Sequence, residues 1–155
     1  MKKMNIVKSL LVAAVIPTLL MATSGSASAG TGVTWKNGQT GYYLLADKAG
    51  SVWDSDLTND QNVWSDISNS DGSWNEMNAY NAQCLTGYYR QVYTENCNYG
   101  TDGTNWWERW YEISTSTGWK LQNRETGYVL DDDGHGNVYA NSNDVGNSDH
   151  NQRWH

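Results

Sequence analysis

The sequence predicts an all-β protein built from three copies of one four-stranded unit, and three observations predict it. A valine followed by an aromatic recurs at Val52-Trp53, Val92-Tyr93 and Val138-Tyr139, and a lone tryptophan follows each pair at Trp64, Trp110 and Trp154. The valines are 40 and 46 residues apart, a period at which a repeat means one supersecondary unit used several times. Within each copy, apolar and aromatic residues alternate with polar ones over short runs bounded by Gly, Asn, Asp and Ser, which is strand patterning. No stretch has the period of an amphipathic helix.

The chain opens with a segment of a different kind. Lys2, Lys3 and Lys8 precede an almost wholly apolar run from Leu10 to Met21, and Ala27-Ser28-Ala29 supplies the small residues a signal peptidase needs. Residues 1–29 therefore read as a secretory signal peptide. A transmembrane anchor fits less well, because the apolar run is short and Pro17 interrupts it. The rest is enough chain for one compact domain with one core.

The copies follow in order, the first over about residues 33–67, the second over 68–113 and the third over 114–155. The third divides most clearly into strands, Trp119 to Asn123, Tyr128 to Asp131, Asn137 to Asn141 and Gln152 to Trp154. Anchoring on the valines places Leu44, Cys84 and Leu130 in one column, and the second copy then matches poorly ahead of it. Twelve strands in three units imply a closed or nearly closed architecture, since open edges invite aggregation. The chain's one proline is Pro17, so Gly, Asn, Asp and Ser must make the turns of the domain.

Composition narrows the partners. The net charge is −7, and becomes −10 once the three lysines of the leader are gone. That charge argues against nucleic acid as a partner, and an anionic bilayer would repel the chain. Nine Trp and ten Tyr with no Phe supply rings that join an apolar face to a polar tip, suited to a surface as well as to a core. Cys84 and Cys97 are the only cysteines; in a secreted chain such a pair most simply forms one disulfide.

Asn151-Gln152-Arg153-Trp154 ends the third copy as Gln-x-Trp, and the second holds Gln83-Cys84-Leu85 with Cys97 beyond it. In these features the chain resembles the ricin B-type lectin family, over roughly residues 33–155. The resemblance implies a β-trefoil of three four-stranded repeats with a sugar pocket available in each copy. Copy one has Asn62 and copy two Glu108 where copy three has Gln152. Trp64, Trp110 and Trp154 read as core residues that close the barrel.

A sugar pocket needs a carboxylate to accept hydroxyl protons, an amide that gives and takes, and an aromatic plate for the C–H face. The resemblance places the acid two residues after the Cys or Leu column, at Ala46, Thr86 and Asp132. Only the third copy carries a carboxylate there, with Asn151-Gln152 and Tyr139, and Asn141 stands at the usual stacking position. Its expected site is thus Asp132, Tyr139, Asn141, Asn151 and Gln152. Asp132 equally suits a turn residue of Asp131-Asp132-Asp133-Gly134. Asp47, Trp53, Gln61 and Asn62 form a shifted second candidate in copy one, and Trp106-Trp107, read as neighbours on a strand, offer one exposed ring in copy two.

Other chemistry has weaker support. The aspartates 131–133 suit a hard cation, yet no glutamate follows at the EF-hand spacing. His135, His150 and His155 join no nucleophile or metalloprotease motif. The expectation is a secreted, extracellular, non-enzymatic glycan-binding protein that uses no cofactor or metal. The alternative is a secreted protein-binding trefoil, an enzyme inhibitor or a toxin or antimicrobial component.

Overall fold

A computed structural model describes residues 32–98 and 105–155; the expected signal peptide lies outside them. Among the described residues there are ten strands, and a single-turn 3-10 helix follows β2, β6 and β10. The strands are β1 (Tyr43–Ala46), β2 (Val52–Ser55), β3 (Trp64–Ser68), β4 (Trp74–Asn78), β5 (Gln83–Tyr88), β6 (Gln91–Asn96), β7 (Trp110–Thr115), β8 (Gly118–Asn123), β9 (Val129–Asp132) and β10 (Val138–Asn141). The two further strands expected from the repeat are reduced to bridges: Val33 pairs with Trp64, and Trp154 pairs with Asn37 and Trp119. The Gln152 region, expected as strand, is the 3-10 turn His150–Gln152, and Asp60–Asn62 and Trp106–Glu108 are its counterparts.

The architecture is a β-trefoil. Strands β3, β4, β7 and β8, with the bridged segments at 33–37 and 154–155, make the barrel, and the hairpins β1–β2, β5–β6 and β9–β10 cap it. The hairpins touch one another through Ser51 with Tyr93 and Trp53 with Asn137. Trp64, Trp110 and Trp154 are fully buried. Their indole N–H groups donate to the carbonyls of Leu44, Leu85 and Leu130 at 3.0, 2.8 and 3.2 Å. These leucines and tryptophans form the core with Trp35, Leu121 and Val138.

The indole bonds correct the alignment of copy two. Leu85, not Cys84, is the counterpart of Leu44 and Leu130, because the β5–β6 turn is one residue shorter than the other two: Gly87 pairs with Val92 where Ala46 pairs with Val52 and Asp132 with Val138. With that shift the leading segments agree closely. Asn37, Asn78 and Asn123 each cap the following turn with the side-chain oxygen and donate from the amide to the 3-10 segment of another copy, at Asn151, Gln61 and Trp107. Seven residues before the leucine sits this asparagine, and three before it the backbone turns left-handed, at Gly41, Ala82 and Gly127. Gly87 has another role: a Cβ there would lie 2.8 Å from the Trp110 ring.

Cys84 and Cys97 form a disulfide within copy two. Among the described residues no helix is long and apolar enough to cross a membrane.

Candidate functional site

In the corrected register Leu45, Thr86 and Asp131 occupy one column, opposite Trp53, Tyr93 and Tyr139. Asp131 is thus the carboxylate that β9 sets beside the aromatic of β10. Its Oδ2 accepts from the side-chain amides of Asn141 and Gln152, both at 3.0 Å, and its Oδ1 from the Asp132 N–H at 2.9 Å. Gln152 is buried and fully engaged: it donates also to the Ser142 carbonyl and accepts from the Asp144 N–H. Asp144 in turn ties the loop 144–149 through the N–H groups of Gly146, Ser148 and Asp149, which hold its carboxyl down at about 2.

Around this frame lie the more open groups. Tyr139 and Asn141 are half-buried. Arg90, at the tip of the β5–β6 hairpin, places its guanidinium 5.3 Å from the centre of the Tyr139 ring and donates to Asn141 Oδ1 at 3.1 Å. Burial, reinforced by the Asp131 charge, raises the Tyr139 hydroxyl above its ordinary value. Asn151 has a buried side-chain oxygen without a partner. The structure therefore brings Tyr139, Asn141 and Gln152 together around Asp131, with Asn151 preceding Gln152 in the same turn.

Asp132 is placed elsewhere. It is fully buried, its Oδ1 accepts the Gly134 N–H at 2.9 Å, and its carboxyl neighbours Asp54 of the first copy. Side chains alternate along a strand, so Asp131 and Asp132 face opposite ways. The one-residue misregister in copy two hid the distinction, since Thr86 is the counterpart of Asp131 and Gly87 of Asp132. The pairing of Asp131 with Gln152 had no local signal in the sequence, because the two are 21 residues apart.

The candidate in copy one is dispersed. Asp47 Oδ1 caps its own turn at Ala49 and Ser51, and its carbonyl accepts from Asn81. Trp53 pairs with Leu45, which cannot supply the carboxylate, and Asn62 is buried. Gln61 instead lines a cavity of about 230 Å³ with Asn59, Asp60 and Tyr80, on the seam between copies one and two. In copy two, Trp106 and Trp107 lie on a 3-10 turn rather than a strand. Trp106 is exposed under the Arg124 guanidinium, 4.1 Å from its ring centre, while Trp107 is half-buried and packs between Tyr88 and Tyr89.

The aspartates 131–133 do not converge on a cation: Asp133 accepts from the His135 and Asn137 N–H groups and the Asn137 side chain, while the other two face the partners above. Asp66, Glu76 and Glu112 do converge, with carboxylate oxygens within 4.8 Å of one another, and are the described residues that could hold a metal ion. Glu76 is fully buried in the column of Trp35 and Leu121, and its Oε2 accepts from the Trp35 indole at 3.1 Å. Burial, then the neighbouring acids, push Glu76 well above the usual carboxylate range and Glu112 to about 7.

No family model matches the chain, and no curated protein matches it. Solved structures show the fold. A designed threefold-symmetric protein, ThreeFoil, superposes with a TM-score of 0.67 at 19% identity, covering 78% of this chain and 94% of its own. A GlcNAcα1-4Gal-releasing endo-β-galactosidase from Clostridium perfringens gives 0.67 at 18% identity over 80% of this chain, which spans only 31% of that enzyme. Cytolethal distending toxin from Actinobacillus actinomycetemcomitans gives 0.69 at 14% identity, covering 82% of this chain and 90% of that one. The fold defines the chain as a β-trefoil protein, and at these identities the likeness carries no activity across.

Proposed function

We propose that this is a secreted carbohydrate-binding protein of lectin type that recognises glycans without chemical change, mainly through its third copy. The observation that carries the reading is the column Leu45, Thr86, Asp131. Of these three only Asp131 is a carboxylate, and it meets two side-chain amides and a half-buried aromatic, the groups that hydroxyls and a C–H face require. Asn141 and Arg90 border the exposed side and would contact the sugar, while Gln152 holds Asp131 in place. One such site binds weakly, so useful affinity would draw on further contacts or on oligomers.

Calorimetric titration of the domain with simple sugars, together with a glycan array, tests this. Binding that falls at least about tenfold in Asp131→Asn is expected; absence of binding to every glycan by the folded protein would end the reading.

A second reading, a protein-binding trefoil that acts as an inhibitor or toxin component, draws on one observation: Asp131 is only 1% exposed and already engaged. Capture of a single protein partner that sugars do not displace, unaffected by Asp131→Asn, would favour it.

A further inference from the structure

The seam between copies two and three holds an open cavity of about 250 Å³ lined by Tyr89, Trp107, Glu125, Thr126 and Tyr128. We propose that it is a second carbohydrate subsite, taking one pyranose ring of a neutral glycan against Tyr89 and Trp107. The proposal rests on the glycan-binding reading and adds a site on different residues.

One wall of the cavity is aromatic. The Tyr89 and Trp107 rings lie 5.3 Å apart and are tilted by 54°, and Tyr88 packs on both, at 5.0 and 4.8 Å. Rings tilted in this way make a cup for a single sugar ring, not a flat platform for a sheet of polysaccharide. The opposite wall is polar and rigid. Asn123 caps the backbone of Glu125 and Thr126, and its amide donates to the Trp107 carbonyl at 2.7 Å, so the two walls share one support. Glu125 and Thr126 supply acceptors for hydroxyls, and the carboxylate, in a chain of net charge −7, selects against acidic sugars. The volume lies below the roughly 300–1,000 Å³ of sites for drug-sized ligands, as one ring requires.

Two observations separate this wall from ordinary packing. Tyr89 is 59% exposed, yet its backbone is held left-handed at φ 52° in the tight turn between β5 and β6. A bulky residue is disfavoured there, and Tyr89 rests on Trp107 while leaving more than half of its surface open. The related seam between copies one and two has its own cavity, but Gln61 stands where Trp107 does and Tyr80 where Glu125 does. The aromatic pair is thus a property of one seam and not of the trefoil.

The same turn joins the two sites. Tyr89 faces the seam while Arg90, the next residue, stacks on Tyr139 and bonds Asn141 of the third copy. A glycan long enough to cross the hairpin tip engages both, so affinity rises from monosaccharide to oligosaccharide.

The test titrates wild type, Tyr89→Gly, Trp107→Ala and Asp131→Asn with glucose, galactose, N-acetylglucosamine and the β-linked oligomers of each. Thermal unfolding is followed in parallel. Glycine relieves the left-handed turn, so Tyr89→Gly is expected to unfold at the wild-type temperature or above while oligosaccharide affinity drops about tenfold, as for loss of one stacked ring. In Asp131→Asn the indole N–H resonance of Trp107, assigned by its loss in Trp107→Ala, should shift on adding the oligosaccharide. Unchanged affinity for every sugar in folded Tyr89→Gly and Trp107→Ala, with Asp131→Asn abolishing binding, would overturn the subsite and leave the glycan reading standing. No binding by wild type would remove both.

Discussion

Asp54 of the first copy and Asp132 of the third meet under the hairpin cap, each with one buried carboxylate oxygen, Oδ1 of Asp54 and Oδ2 of Asp132, that has no donor. Two such groups cannot both be ionised cheaply. Burial first, and the Asp132 charge second, push Asp54 up to about 7 against the opposing hydrogen bond from Thr40. A proton held there supplies the bond that the ionised pair lacks.

Stability should therefore fall as the solution becomes more alkaline. Asp54 binds its proton more tightly folded than unfolded, so its contribution is complete below about pH 4 and is lost as pH rises through about 7. Glu112, also raised to about 7, acts in the same direction. Asp54→Asn should be more stable than wild type at pH 8, by about 1–3 kcal/mol, with the advantage shrinking towards pH 5. Chemical denaturation across this range checks it; a variant whose pH slope equals that of wild type would contradict the shared proton.

Ala82 adopts φ 57° at the position where Gly41 and Gly127 have 72° and 71°. A Cβ is disfavoured in this region, so Ala82→Gly should stabilise the protein by about 0.5–1 kcal/mol. A rise in melting temperature with unchanged sugar binding is the expected result.

The disulfide between Cys84 and Cys97 closes a loop with a sequence separation of 13 within copy two. Restricting the unfolded chain by such a loop is worth about 3 kcal/mol. Reduction, or Cys84→Ser with Cys97→Ser, should lower the melting temperature by several degrees while leaving Asp131 and its partners intact. Loss of sugar binding on reduction at a temperature where the protein stays folded would show that the bond shapes a binding surface instead.

Trp110 fills the core and donates to the buried Leu85 carbonyl. Trp110→Phe leaves a void and an acceptor without its donor, a loss of about 2–4 kcal/mol. Denaturant midpoints for the same change at Trp64 and Trp154 should shift in the same direction, because their indoles make the matching bonds to Leu44 and Leu130.

The fold was legible because buried, repeated positions constrain residue type. The three tryptophans and the valine-aromatic pairs recur for one physical reason, barrel closure under three hairpins, and the pairing of Cys84 with Cys97 followed from their isolation in the chain. The site was less legible. A shorter turn in copy two moves Leu85 into the leucine column, and in a strand one residue of register exchanges the two faces. That displaced attention from Asp131 to Asp132. The aromatic wall of Tyr88, Tyr89 and Trp107 brings a hairpin tip against a 3-10 turn about twenty residues away in sequence, a proximity made by tertiary packing with no periodic trace.

Lys36 and His155 exchange backbone hydrogen bonds, and Asn37 pairs with Trp154. The last seam of the barrel thus joins the start of the first copy to the end of the third, across the whole length of the domain. Neighbouring copies pair through segments that follow one another in the chain, yet the ring closes only when Trp154 reaches Asn37. Until that pairing forms, Lys36 and Asn37 present an open β edge, a template on which a second chain could pair.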